Sequence, residues 1–193
     1  MERTVVMAGF GGQGVLMIGK LLAEACLSEG KEVTWLPSYG PEMRGGTANC
    51  TVVIADHPIG SPIVGRPLDA VVMNRPSLEK FAPTQRPGGV LVINSSLITI
   101  EAGRDDLKVL RLPANDLAQA EGSTRAANMA MLGAYVGCTA LAGKDAVLAM
   151  IRETFASKPK FIDINCRTFL RGYELATGRA AGAATAAAAA ATR

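Results

Sequence analysis

The sequence predicts a single α/β domain that is Rossmann-like in its first half, with a mostly parallel sheet and a helix-rich C-terminal part. Three features predict this class. Residues 4–9 are a short apolar, β-branched run typical of a buried strand, a glycine-rich turn follows, and apolar residues at helical spacing begin at Val15. Residues 32–36 indicate a second strand, which completes a βαβ unit and implies a parallel sheet with a right-handed crossover. The length of 193 residues suits one domain with a substantial core.

The rest of the chain follows the same two patterns. Four further strands are predicted, at residues 47–55, 70–73, 90–94 and 109–112. Four further helices are predicted, at residues 77–81, 125–141, 144–155 and 166–177. In the second of these helices, Gly133 and Gly137 indicate close packing against a neighbouring helix. We therefore expect one domain at residues 1–178 and an alanine-rich tail at residues 179–193, which lacks the polar and apolar alternation of a docking face.

Composition narrows the function classes. The net charge is only +3 and aromatic residues make up 5%, so no nucleic-acid partner is expected. Neither a signal-peptide pattern nor a bilayer-spanning apolar run is found, so we expect a cytoplasmic protein without a membrane partner. His57 is the only histidine, which excludes a two-histidine metal site. The four cysteines are widely spaced and indicate buried, reduced thiols rather than iron–sulfur or zinc ligands: Cys26, Cys50, Cys138 and Cys166.

The glycine-rich turn at residues 9–14 reads GFGGQG and fits the GxGxxG pattern between a strand and a helix. Its backbone N–H groups and the helix dipole can hold an anion, although the glycines can also serve packing alone. A dinucleotide site needs in addition an acidic residue at the end of the second strand. Glu32 instead lies at the start of that strand, and Pro37 is expected to end it. Binding of free NAD(P) is therefore disfavoured.

A second unusual segment at residues 38–46 reads SYGPEMRGG and predicts a loop. It follows the second strand at the carboxyl edge of the sheet, beside the glycine turn, where open α/β sheets bind their ligands. Four side chains are candidates for contact with a partner or an anionic ligand, namely Ser38, Tyr39, Glu42 and Arg44. The alternative is a solvated turn with an exposed Glu42–Arg44 ion pair, which contributes little.

These two strings carry a resemblance to a known family. GFGGQGV at residues 9–15 and PSYGPEMRGGTANCTVVI at residues 37–54 resemble the gamma subunit, or gamma domain, of the 2-oxoacid:ferredoxin oxidoreductases. The resemblance covers residues 4–177 and includes IGSP at 59–62, NRPSL at 74–78 and NMAMLG at 128–133. In the pyruvate members that this segment resembles, the motif YGP is followed by ERRGAP. In this chain YGP at residues 39–41 is followed by EMRGGT at residues 42–47. That difference favours the 2-oxoglutarate and 2-oxoisovalerate members, and 2-oxoglutarate first.

The resemblance implies a subunit that is not catalytic alone. Such complexes decarboxylate a 2-oxoacid on thiamine diphosphate with Mg²⁺, reduce ferredoxin through iron–sulfur clusters, and release CO2 and an acyl-CoA. The implied partners are alpha, beta and delta (ferredoxin-like) subunits, and this chain is expected to bind no cofactor by itself and to hold no catalytic residue. Its implied role is assembly and the coenzyme A side of the active site, with a possible phosphate or partner contact at Gly11, Gly12, Gln13 and Gly14.

Two alternatives belong to other classes. The small subunit of indolepyruvate ferredoxin oxidoreductase shares the same domain, and the substrate profile of the whole complex distinguishes it. A free-standing NAD(P)-binding oxidoreductase is disfavoured by the missing acidic residue, and tight NAD binding by the isolated chain would restore it.

Replacing Arg44 by alanine tests the ligand loop. A charge-assisted hydrogen bond in a desolvated site is worth about 1.5–3 kcal/mol, so its loss lowers affinity roughly tenfold to a hundredfold. An exposed pair with Glu42 is worth less than about 1 kcal/mol and leaves the kinetics unchanged. The measurements are the apparent affinity for coenzyme A and the yield of assembled complex. If both equal those of the parent, Arg44 is an ordinary surface residue.

Overall fold

The computed structural model describes residues 1–39 and 47–191, with side chains described through residue 178 except that of Tyr39. The strands are β1 (Glu2–Phe10), β2 (Glu32–Tyr39), β3 (Thr47–Ala55), β4 (Asp69–Val72), β5 (Val90–Asn94) and β6 (Lys108–Leu112). The helices are α1 (Val15–Ser28), α2 (Arg75–Phe81), α3 (Ala114–Ala120), α4 (Ala127–Thr139), α5 (Lys144–Thr154) and α6 (Ile162–Ala191). Single 3₁₀ turns precede α4 and α6 and follow α2, at Thr124–Ala126, Pro159–Phe161 and Ala82–Thr84.

The six strands form one sheet in the order β2-β3-β1-β4-β5-β6. The pairs β1–β4, β4–β5 and β5–β6 are parallel, and β3 runs antiparallel to both of its neighbours. Five of the six strands therefore point the same way, which confirms the predicted α/β class with a mostly parallel sheet.

The position of β3 corrects the simple βαβ prediction. β1 and β2 run in the same direction, but β3 lies between them, and its Ala48 is paired with both Gly9 and Tyr39. The cause is the antiparallel pairing of β2 with β3, which returns the chain to the edge of β1. The prediction that Pro37 ends the second strand is also wrong. β2 is an edge strand, where the missing proline N–H need not interrupt the ladder of hydrogen bonds.

Most other elements lie close to their predicted positions. The strands at residues 47–55 and 90–94 have the predicted bounds. α6 begins before the predicted residue 166, and α4 ends before the predicted residue 141. α3 was not predicted, because a helix of seven residues with the sequence ANDLAQA gives too short an apolar pattern to detect.

Helices cover both faces of the sheet. α1 and α4 pack on one face, with α5 against α1, and α2 packs on the other with the segment that follows β5. α4 is the central helix of the first layer, because it contacts β4 and β5 below it and α6 above it. Residues 127–136 of α4 are all buried in consequence, including the polar Asn128.

The predicted close approach at Gly133 and Gly137 is confirmed. A Cβ atom at Gly133 would lie 2.0 Å from the carbonyl oxygen of Phe169 in α6. On the opposite side of the contact, a Cβ atom at Gly172 would lie 1.9 Å from the carbonyl oxygen of Ala130. The two helix backbones therefore touch without intervening side chains, which only glycine permits at these positions.

A buried carboxylate joins α4 to the sheet. Asp69, at the start of β4, is fully buried and accepts hydrogen bonds from Nε of Arg3 at 2.5 Å and from the Tyr135 hydroxyl at 2.8 Å. The Val90 backbone N–H adds a third donor group at 2.8 Å. Burial, followed by the nearby Asp69 charge, raises the pKa of Tyr135 well above its usual value, so the hydroxyl stays a donor.

Two features are absent from the described part of the chain. None of its helices combines the length and the apolar character needed to cross a membrane. Within the same residues, no three histidine, cysteine, aspartate or glutamate side chains come together as a set that could hold a metal ion.

Replacing Gly172 by alanine is expected to destabilise the fold by about 1–3 kcal/mol, because the added methyl group must push α6 away from α4. Gly178 is the matched control in the same helix, since a Cβ atom there meets no atom within 4 Å. Gly178→Ala should instead stabilise the protein by about 0.5–1 kcal/mol, through the better helix propensity of alanine. Urea unfolding of the full chain measures both values. Equal effects of the two substitutions would contradict the contact.

Candidate functional site

The glycine turn joins the end of β1 to the start of α1. Gly12 and Gly14 adopt φ angles of 99° and 74°, a conformation that L-residues with side chains rarely take. Gly14 is the residue that precedes α1, and no side chain caps the helix there. The first N–H groups of α1 are therefore available to donate hydrogen bonds to an anion.

Gln13 turns its amide towards the sheet. Its Oε1 accepts a hydrogen bond from the Phe10 N–H at 2.7 Å, and its Nε2 lies 3.4 Å from the carbonyl oxygen of Met73. The Nδ2 of Asn74 also lies 3.4 Å from Oε1. The sequence indicated Gln13 as a ligand or partner contact, and in the structure its side-chain amide is already engaged by the protein.

Gly14 allows α4 to approach the turn. A Cβ atom at Gly14 would lie 2.3 Å from Nδ2 of Asn128, which donates a hydrogen bond to the Gly14 carbonyl oxygen at 3.2 Å. Asn128 is only 4% exposed, so this contact lies in the interior. Asn128 was not singled out as a site residue from the sequence, although it begins the NMAMLG string that carried part of the family resemblance.

A pocket of about 240 Å³ opens on the helical side of the turn. Gly12 and Gly14 form one wall, and the starts of α4 and α6 form others, with Asn165 in the first turn of α6. Two cations also line the pocket, Arg125 in the 3₁₀ turn before α4 and Lys158 in the segment between α5 and α6. The rest of the lining includes Gln13 and apolar side chains, among them Met17, Phe155 and Phe161.

This anion pocket, as we call the space between Gly12, Arg125 and Lys158, has a positive environment. The amino ends of α1, α4 and α6 all lie at it, and the positive ends of their dipoles attract negative charge. Both Arg125 and Lys158 are exposed, and neither side chain pairs with another side chain among the described residues. The described residues that line the pocket include no aspartate or glutamate. The arrangement can bind a phosphate or a carboxylate.

The second candidate segment is described only in part. Ser38 and Tyr39 belong to β2 rather than to a loop, whereas Glu42 and Arg44 lie outside the described residues. Tyr39 and Phe10 end their strands at the same edge of the sheet, with β3 between them. The end of β2 and the glycine turn are therefore two strand spacings apart, about 10 Å.

The cysteines and the histidine lie elsewhere. Burial raises the pKa of the Cys50 thiol to about 12 and that of Cys26 to about 11, so both stay protonated and unreactive at neutral pH. The prediction of four buried thiols is wrong for Cys138, which is exposed. Cys138 lies in the last turn of α4, where the helix leaves the core. His57 follows β3 at the sheet edge opposite to the glycine turn.

Comparison with known proteins identifies the family of this chain. Residues 4–175 match the family model described as pyruvate ferredoxin/flavodoxin oxidoreductase, and the chain belongs to this family. The resemblance to gamma subunits that was identified from the sequence is thereby confirmed.

Three similar proteins illustrate the relationship. Ketoisovalerate oxidoreductase subunit VorA of Methanothermobacter thermautotrophicus is 42% identical over 91% of this chain, which spans 36% of that relative. 2-Oxoglutarate synthase subunit KorC of Methanocaldococcus jannaschii is 32% identical over 91% of this chain and 95% of its own length. The crystal structure of the keto/oxoacid ferredoxin oxidoreductase gamma subunit from Geobacter sulfurreducens superposes with a TM-score of 0.77 at 27% identity, covering 91% of this chain and 99% of that one. This chain thus spans about a third of the ketoisovalerate relative and nearly all of the other two.

Alanine substitutions at Gly12 and Gly14 separate backbone strain from packing. Both residues have a positive φ, so each substitution should cost about 1–2 kcal/mol of stability through strain. Gly14→Ala should cost about 1–3 kcal/mol more, because its methyl group overlaps Asn128, whereas a Cβ atom at Gly12 meets no atom within 4 Å.

The measurement is the free energy of unfolding in urea. The parent, Gly14→Ala, Asn128→Ala and the variant that carries both substitutions form a double-mutant cycle. Removal of the Asn128 amide should recover part of the loss that Gly14→Ala causes. Strictly additive effects would contradict the contact between the turn and α4.

Proposed function

We propose that this chain is the gamma component of a 2-oxoacid:ferredoxin oxidoreductase, and that residues 1–178 form the domain that supports assembly and the coenzyme A side of the reaction. Membership of the family and the similarity to separate KorC and gamma-subunit chains over nearly their whole lengths support this role. The proposed setting is the cytoplasm, with alpha, beta and delta subunits as partners and ferredoxin as the electron acceptor.

The division of labour follows from the side chains that this chain offers. The described residues provide no cluster of metal ligands, and the cysteine thiols of residues 26 and 50 have raised pKa values that do not suit nucleophiles. In the proposed complex, thiamine diphosphate with Mg²⁺ and the iron–sulfur clusters reside on the partner subunits and supply the decarboxylation and electron transfer. This chain then binds and orients, and does not catalyse alone.

The anion pocket carries the proposal for coenzyme A. Coenzyme A has phosphate groups, and the pocket combines the uncapped start of α1 with the side chains of Arg125 and Lys158, which lack partners among the described residues. Gly12 and Gly14, which line the pocket, would then present backbone N–H groups to a phosphate, as glycine turns before helices do, whereas Gly11 lies outside the lining. The other anionic group that suits this pocket is a carboxylate of a partner subunit.

The proposed substrate is 2-oxoglutarate or 2-oxoisovalerate rather than pyruvate. The EMRGGT sequence that follows Pro41 favours these two members over pyruvate enzymes. The 42% identity with the ketoisovalerate relative, against 32% with the 2-oxoglutarate relative, supports the branched-chain substrate as an equal candidate. Turnover of the whole complex with these two acids, pyruvate and indolepyruvate tests the assignment. Preference for indolepyruvate would favour the alternative family member.

Substitution of the two pocket cations tests the coenzyme A role in the reconstituted complex. We expect Arg125→Ala and Lys158→Ala each to raise the KM for coenzyme A roughly tenfold to a hundredfold, because each removes a charge-assisted hydrogen bond worth about 1.5–3 kcal/mol. The KM for the 2-oxoacid should not change. Initial-rate kinetics with a viologen acceptor give both constants.

Arg66→Ala is the matched control. Arg66 is also an exposed arginine without a partner among the described residues, but it lies near the start of β1, at the opposite edge of the sheet. It makes the same change in net charge without touching the anion pocket. An unchanged KM for coenzyme A in both pocket variants would reject the site. A loss of assembled complex with unchanged kinetics would assign the pocket to a partner carboxylate.

A further inference from the structure

The sheet contains a crevice of the kind that usually holds a ligand. β1 and β4 are parallel neighbours, with Ala8 paired to Val72. The helix after β1 packs on one face of the sheet and the helix after β4 on the other, as Leu22 and Leu78 show by belonging to separate apolar clusters. Open α/β sheets bind ligands outside the carboxyl ends of two such strands. The position between residues 9–14 and Met73 is therefore the expected ligand crevice.

The side chain of Gln13 occupies this crevice. Its amide accepts from the Phe10 N–H at the end of β1 and reaches the Met73 carbonyl oxygen just after β4, so it bridges the two strands. The amide also lies directly against Gly9, where a Cβ atom would be 2.7 Å from Gln13 Oε1 and 2.9 Å from Met73 Cβ. The first glycine of the pattern thus makes room for the protein's own side chain.

We propose that Gln13 is a positioning residue that serves as a built-in occupant of the β1–β4 crevice. By filling the place of a ligand on the sheet side, its amide holds the turn in one conformation. Gly12, Gln13 and Gly14 all line the anion pocket, so the amide that fills the crevice also fixes this wall of the pocket. The crevice itself takes no dinucleotide, and the anion is bound beside it, among the starts of three helices. Of the two tests, the KM for coenzyme A rests on the proposed function, whereas hydrogen exchange at the Phe10 amide does not.

An amide suits this position because the crevice offers donors on one side and an acceptor on the other. The Phe10 N–H and the more distant Asn74 Nδ2 need an acceptor, and the Met73 carbonyl oxygen needs a donor. Glutamate has the same shape but cannot satisfy Met73, since its second oxygen would face the Met73 oxygen. Alanine satisfies neither group. The three residues therefore form a graded series: glutamine satisfies both sides of the crevice, glutamate keeps the shape and loses the bond to Met73, and alanine loses both bonds and the side chain that fills the space.

Gln85 provides a matched control elsewhere in the same sheet. It is fully buried, and its Nε2 bridges the carbonyl oxygens of Leu68 and Val90 at 3.1 Å each. These two residues lie at the amino ends of β4 and β5, which is the edge of the sheet opposite to the glycine turn. Gln85→Ala removes a bridging amide of the same kind and lowers global stability without any contact to the proposed site.

The first measurement is amide hydrogen exchange in the full chain for the parent, Gln13→Ala, Gln13→Glu and Gln85→Ala. The rate at Phe10 is compared with that at the buried Val52 in β3, which contacts neither Gln13 nor Gln85 and corrects for global unfolding. We expect Gln13→Ala to accelerate exchange at Phe10 by about tenfold, the factor for loss of one hydrogen bond. Gln13→Glu should fall between the parent and the alanine variant, and Gln85→Ala should leave the ratio unchanged.

The second measurement is the KM for coenzyme A of the reconstituted complex with the same variants. We expect the KM to follow the exchange rates, highest for Gln13→Ala and intermediate for Gln13→Glu, with kcat and the KM for the 2-oxoacid unchanged. Faster exchange without a change in KM would support the positioning role and count against the coenzyme A site. Equal exchange ratios in Gln13→Ala, Gln13→Glu and Gln85→Ala would overturn the positioning role itself. If the alanine variant does not fold, the glutamate variant alone still decides between these outcomes.

Discussion

The buried Asp69 carboxylate is the interaction on which the arrangement of the first layer depends. A charge with no exposed surface is tolerated only when donors surround it, and the donors to Asp69 come from β1, β5 and α4. Arg3 supplies the opposite charge, and Tyr135 supplies a hydroxyl that burial keeps protonated. Because one side chain joins three elements that are distant in the sequence, the position of α4 relative to the sheet is set from the middle of that helix.

This constraint reaches the anion pocket through the stiffness of α4. Tyr135 lies two turns along the helix from Asn128, which contacts Gly14. On the side away from the sheet, the glycine contacts with α6 leave no space for α4 to move. The starts of α1, α4 and α6 therefore converge at one place. Arg125 is brought there by the 3₁₀ turn before α4, and Lys158 by the short segment between α5 and α6.

How much of this was predictable depends on the range of the interactions. The strands at residues 47–55 and 90–94 were predicted to the residue, because a buried strand shows its apolar run locally. The glycine turn and the glycines of α4 were predicted for the same reason. The insertion of β3 was not, since a strand's neighbour depends on pairing across the whole sheet. The pocket cations were missed because Arg125 and Lys158 come from segments remote from the turn. The occupation of the crevice by Gln13 depends on the position of Met73, which no local pattern reveals.

The order of strands in the sheet has a consequence for folding during synthesis on the ribosome. β1 is a central strand, but both of its partners follow it in the chain, the second being complete only at Val72. During synthesis its edge towards β3 has no native partner until Ala55 is made, and its edge towards β4 has none until Val72 is made. Such strands attach readily to other unfinished chains. The edge of β1 that pairs with β4 is therefore exposed to wrong pairing for longer than the edge that pairs with β3.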